Sequence, residues 1–136
     1  MAKYVDGFVI PLKKKNLKAY QKMAQIGCNV WMKYGALDYY ECVGANISQA
    51  WGTNFQKTYK LKSDETLIFA FVTYKSKKHR DAVNSKVHKD AQMNAENYDA
   101  DVFDMKRFSA GEFEVIVKAT PKQKAGPKKT AKKAKR

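Results

Sequence analysis

Asp6, Tyr39 and Glu41 are the residues whose types and spacing could do chemistry. Asp6 stands two and four positions before Phe8 and Ile10, and Glu41 stands two positions from both Tyr39 and Val43. In an extended chain each carboxylate therefore shares a face with apolar neighbours. A carboxylate turned into closed apolar space without a partner is harder to ionise, which suits it to act as an acid or base. The alternative is a position near a strand end, solvated or paired with Lys106 or Arg107. Glu114 interrupts another apolar run in the same way. Asp6, Tyr39 and Glu41 are the candidate polar groups of a ligand cavity, and Trp51, in a long irregular segment, is a candidate loop contact.

The remaining chemistry-bearing residues are few. His79 and His88 are nine positions apart, so on one helix they point in roughly opposite directions at about 100° per residue. They cannot share a metal within one chain, and each reads better as a packed or edge histidine. Cys28 and Cys42 are the two cysteines, expected to be reduced, and alone they make no metal site. No Ser-His-Asp signature, phosphate-binding glycine loop, zinc spacing or dinucleotide fingerprint is visible. The residues assign no catalytic group, no metal and no cofactor. Any reaction is expected to be acid–base chemistry or substrate-assisted oxidation.

These side chains must be positioned by a small set of elements. "KYVDGFVIP", Lys3 to Pro11, predicts a strand that Pro11 ends. Leu17, Tyr20, Ala24, Cys28, Trp31 and Tyr34 recur at steps of three and four, predicting a helix that Gly35 stops. "ALDYYECVG" predicts a second strand, and "ANISQAWGTNFQ" a loop. "KTYKLK" could extend as an edge strand, and Thr66 to Tyr74 is the third long strand. Ser76 is a suitable N-cap for a helix from Lys77 to about Met93. Met105 to Lys118 predicts the last strand, with Gly111 as a possible bulge. The order is βαββαβ, an α+β ferredoxin-like arrangement: an antiparallel sheet with both helices on one face.

Such a sheet should be polar on the face away from its helices. Here Leu67, Phe69 and Phe71 point one way while Ile68, Ala70 and Val72 point the other, and both sets are apolar. Val5 and Val9 likewise oppose Phe8 and Ile10. Soluble monomers rarely leave so large an apolar patch wet. A second copy packed face to face through a two-fold axis is the economical cover, giving a homodimeric α/β barrel.

Charge is divided unevenly along the 136 residues. Eight of the 27 basic residues fall between Lys122 and Arg136, where no acid stands; the other 19 face 13 acids, leaving the domain at +6 against +14 overall. Residues 1–120 are read as one domain and 121–136 as a disordered basic tail. Lys122, Lys124, Lys128, Lys129, Lys132, Lys133, Lys135 and Arg136 are the candidates for nonspecific DNA or RNA binding by counterion release. The cluster "KSKKHR", Lys75 to Arg80, reads as a solvated helix start. No apolar run approaches the roughly 20 residues of a membrane helix. The N-terminus lacks the pattern of a secretory signal, so no membrane partner and a cytoplasmic location are expected.

Taken in order, "KYVDGFVIP", "AYQKMA", "YGALDYYECVG", "SDETLIFAFVTYKSKKHRDAVNSKV" and "FDMKRFSAGEFEVIV" resemble the bacterial YbaA-like domain-of-unknown-function family, from Lys3 to about Val117. That family is similar to the dimeric α/β-barrel superfamily, so the resemblance implies the same fold and a dimer. The wider superfamily includes cofactor-independent monooxygenases, isomerases and haem-handling proteins that use the space between sheet and helices, an analogy of fold only. The chain departs from the family pattern in two places. Ala45-Asn46 stands where relatives carry a pair of acids, and "HKDA", His88 to Ala91, where they often read Met-x-Asp-Pro. A ligand or metal role for those acids does not carry over.

Overall fold

The computed structural model describes residues 1–94, 96, 97, 99 and 101–121. Four strands form one antiparallel sheet: β1 (Tyr4–Lys13), β2 (Asp38–Val43), β3 (Glu65–Tyr74) and β4 (Ser109–Glu114), in the order β2-β3-β1-β4. Between them run α1 (Leu17–Lys33), a single helical turn α2 (Phe55–Thr58) and α3 (Lys77–Lys89). The two long crossovers carry α1 and α3, as the ferredoxin-like α+β fold requires.

The apolar residues of β1 and β3 explain why these strands are central. Phe8 pairs with Ala70 and Ile10 with Ile68, so one face of the sheet is apolar along its length. Pro11 does not end β1. It pairs with Leu67, and the strand runs on to Lys13. The β4 pairing stops at Val9, so on that side Pro11 faces no ladder in which a missing N–H would cost a bond.

α1 buries Tyr20, Met23, Ala24, Gly27 and Val30 against that face. Gly27 is no break in it: the helix runs through this position and buries it. Gly35, at φ 104°, ends the helix in the left-handed region. The Ala36 N–H then returns to the Trp31 carbonyl at 3.1 Å. On α3 the Ser76 hydroxyl accepts from the His79 N–H at 3.1 Å, and Val83 and Val87 are buried. The helix stops at Lys89, before the expected Met93, because Asp90 adopts an extended conformation and starts a 3-10 turn over Ala91–Met93.

Two segments differ from the sequence expectation. The expected edge strand at 57–62 is absent, its start taken up by α2, whose N-cap Asn54 accepts from the Lys57 N–H at 2.9 Å and donates to the Gln49 carbonyl at 2.9 Å. The last strand is shorter than Met105 to Lys118: Asp104 caps a 3-10 turn over Met105–Arg107, and β4 follows. Gly111 is not a bulge. It pairs in register with Gly7, and the Phe113 ring lies across both, 3.2 Å and 3.3 Å from where their Cβ atoms would be. Glycine at both positions lets one aromatic ring lie flat on the sheet.

The face away from the helices is as apolar as the alternation predicts. Tyr40, Phe69 and Phe113 are 54%, 49% and 59% exposed, and Tyr40 stacks on Phe71 at 5.0 Å. Among the described residues no helix is long and apolar enough to cross a membrane.

Candidate functional site

A cavity of about 140 Å³ opens between the sheet and α1. Phe8 and Ile10 of β1 and Ala70 and Val72 of β3 form its floor; Tyr20, Met23, Ala24 and Trp31 of α1 form its roof. Phe103 and Phe108, on either side of the 3-10 turn before β4, close one end, and Tyr39 and Glu41 of β2 the other. The rings brace one another: Tyr20 on Phe103 at 6.0 Å, Phe103 on Phe108 at 6.1 Å, Phe8 on Phe108 at 5.9 Å, and Trp31 on Tyr39 at 6.0 Å. Small Ala24 and Ala70 leave the space these large rings do not fill.

Glu41 is the one ionisable carboxylate in this wall. The Tyr20 hydroxyl donates to its Oε1 at 2.7 Å, and the Tyr39 hydroxyl to its Oε2 at 2.8 Å. Burial pushes its carboxyl above the ordinary glutamate range, while the two phenol donors pull the other way. Cys28 of α1 feels the same site: burial raises its thiol, and the Glu41 charge raises it further. The arrangement can hold a proton at Glu41 and exchange it with a molecule in the cavity.

Asp6 shares the helix-facing side of the sheet but belongs to a separate cluster. Its side chain is 4% exposed and is held by Arg80 Nε at 3.1 Å and by the Tyr74 hydroxyl at 2.8 Å. Asn84 and Trp31 both donate to the Tyr74 oxygen at 3.1 Å, and burial drives the Tyr74 hydroxyl well above the usual phenol range. Arg80 is thus not part of a solvated helix start. It is the counter-ion of a buried acid, and it also reaches Glu112 at 3.5 Å.

The four candidate residues therefore separate. Tyr39 and Glu41 meet in the cavity wall. Asp6 lies outside that wall, with Arg80 as partner rather than Lys106 or Arg107. Arg107 instead pairs with Glu65. Trp51 is 77% exposed and does not reach the cavity. The eight basic candidates from Lys122 to Arg136 lie outside the described residues. Each histidine has a packing contact: His79 Nδ1 accepts from the Lys75 N–H at 2.9 Å, and the His88 ring meets Trp31 edge-on at 6.4 Å. Among the described residues no three His, Cys, Asp or Glu side chains gather to hold a metal.

Sequence reasoning missed Tyr20, Phe103 and Phe108 as site residues. Tyr20 was legible as part of the helical stripe, though its polar end gave no sign of a distant acceptor. Phe103 sits in a segment with neither period, and Phe108 falls within the expected last strand, which the structure starts only at Ser109.

The model of the family described as "Protein of unknown function (DUF1428)" matches residues 3–105. The chain belongs to that family. Its relatives include the "Uncharacterized protein YbaA" of Escherichia coli strain K12, 35% identical over 115 residues, which covers 85% of this chain and 97% of that protein. The protein of the same description from Shigella flexneri gives the same figures. Among solved structures, the chain is similar to one titled as a putative antibiotic biosynthesis monooxygenase from Bacillus cereus, with a TM-score of 0.56 and 8% identity, over 90% of this chain and 100% of that one. At that identity the likeness is one of fold. The DUF1428 match stops at Met105, so Phe108 lies beyond the matched span while Phe103, at the same end of the cavity, lies within it.

Proposed function

We propose that the protein binds a small, largely apolar molecule, about one aromatic ring in size, in the cavity between the sheet and α1. The observation that carries this is Glu41: a single carboxylate in an otherwise apolar and aromatic wall, fixed by two phenols, beside a space of about 140 Å³. An apolar cavity of roughly 150 Å³ accepts benzene in another protein, so the volume suits a single ring. An apolar space with a few convergent polar groups is the usual form of a ligand site. Glu41 would orient the ligand and, if a reaction follows, move a proton. The monooxygenase title of the fold neighbour agrees with such a use of the fold and carries no further weight.

The protein acts as a homodimer in this reading, with the open sheet faces of two copies packed together. The exposed Tyr40, Phe69 and Phe113 on that face support it.

The test is a titration of the full-length protein with single-ring compounds, followed by Trp31 fluorescence and by methyl shifts of Met23. Saturable shifts that vanish in Ala24→Phe, which fills the cavity, are expected. If the folded wild-type protein responds to none of them, the reading is wrong.

A further inference from the structure

Among the described residues three acids, Asp6, Glu65 and Asp90, have nearly buried side chains, and each has a cation. Asp6 (4% exposed) has Arg80, Glu65 (6%) has Arg107, and Asp90 (7%) has Lys33 at 3.1 Å. Glu41 breaks this pattern. No Lys, Arg or His of the described residues pairs with it; its partners are two neutral phenols.

The hydrogen-bond inventory of the wall points the same way. The Tyr20 and Tyr39 hydroxyls give their protons to Glu41, and the Trp31 Nε1–H is given to the Tyr74 hydroxyl. The donors of the cavity wall are thus committed, while each Glu41 oxygen keeps a further lone pair for acceptance. A ligand must bring its own donor. An anionic group would meet the Glu41 charge with no donor to offset it.

Resting on the ligand-site reading above, we infer that the cavity takes an aromatic primary amine, its ring among Phe8, Trp31, Phe103 and Phe108 and its ammonium on Glu41. The ammonium supplies the counter-charge that Arg80, Arg107 and Lys33 supply to the other three acids. Its three N–H groups meet an acceptor-only wall, and the neighbouring ring faces attract a cation.

The probes are benzylamine, benzyl alcohol and benzoate, of nearly one size and differing in charge and donors. Benzylamine is expected to bind about tenfold more tightly than benzyl alcohol, with benzoate weakest. Glu41→Gln should abolish the preference for the amine, lowering benzylamine affinity far more than benzyl alcohol affinity. The pH dependence of the wild-type protein gives a second readout should that variant fold poorly. Benzylamine binding should weaken as Glu41 is protonated on acidification, and benzyl alcohol binding should change much less. The titratable groups facing Glu41 are Tyr20 and Cys28 from α1 and Tyr39 on its own strand; β3 offers it Ala70 and Val72. The Cys28 thiol, pushed up by burial and by Glu41, carries no charge over that acid range. Equal or tighter binding of benzyl alcohol or benzoate, or an amine preference that survives Glu41→Gln, overturns the amine assignment alone. Failure of all three probes to bind overturns the ligand site as well.

Discussion

The Tyr20 hydroxyl of α1 donates to Glu41 of β2 at 2.7 Å, joining a helix to an edge strand 21 residues away within the cavity wall. The bond favours the ionised carboxylate, against the burial that disfavours it. Tyr20→Phe removes that support, so the Glu41 carboxyl should titrate higher than in the wild-type protein. Carboxyl-carbon NMR titration measures this directly; an unchanged or lower value would contradict it. The lost bond should cost about 1 kcal/mol of stability.

Glu41 should also make the fold less stable in its ionised form. Its folded-state pKa is raised, so its stabilising contribution is full below the ordinary glutamate value and is lost as pH rises through the folded value. Glu41→Gln keeps the shape and removes the titration. Across that range the variant should lose less stability with rising pH than the wild-type protein does, as thermal melts over a pH series will read.

Asp90 has the opposite sign. Its carboxyl is held down at about 2 by the Gln92 N–H, the Tyr34 hydroxyl and Lys33. The stability it contributes is present above the ordinary aspartate value and falls away as pH drops toward 2. Asp90→Asn should therefore be less stable than wild type at neutral pH, with the gap closing under acid. A gap that is constant with pH would refute the linkage.

The Asp6–Arg80 pair should behave as a buried ion pair. Arg80→Met leaves a 4% exposed carboxylate facing the Tyr74 hydroxyl, and should destabilise the fold by about 3 kcal/mol in urea unfolding. Asp6→Asn with Arg80→Met should recover part of that loss. A double variant as unstable as the sum of the two single ones would show that the pair does not couple.

Phe69 is 49% exposed at the centre of the open sheet face. Phe69→Glu puts a charge where two sheets would meet, and should shift sedimentation toward the monomer while the far-ultraviolet circular dichroism is retained. A wild-type protein already monomeric at micromolar concentration would remove the homodimer from the proposal.

The sequence by itself determined the strand and helix order and the two-faced apolar character of β3. It also determined the shared parity of Tyr39 with Glu41 and of Asp6 with Phe8. These follow from the two-residue period of a strand and the 3.6-residue period of a helix, which are local properties. It also held the helix stop at Gly35 and the helix start at Ser76, where backbone conformation and capping need few neighbours. Tertiary structure alone decided which carboxylate received a cation. Asp6 and Glu41 look alike in the sequence, each among apolar neighbours on the same face. Arg80, 74 residues away, reaches one, and two tyrosines reach the other. Tertiary structure also brought Phe103 to the cavity from a segment with no period and Phe108 from just before β4, and left Trp51 outside it. Hydrogen bonds and ion pairs act over about 3 Å, so they depend on the packing of distant segments, and no spacing along the chain encodes that.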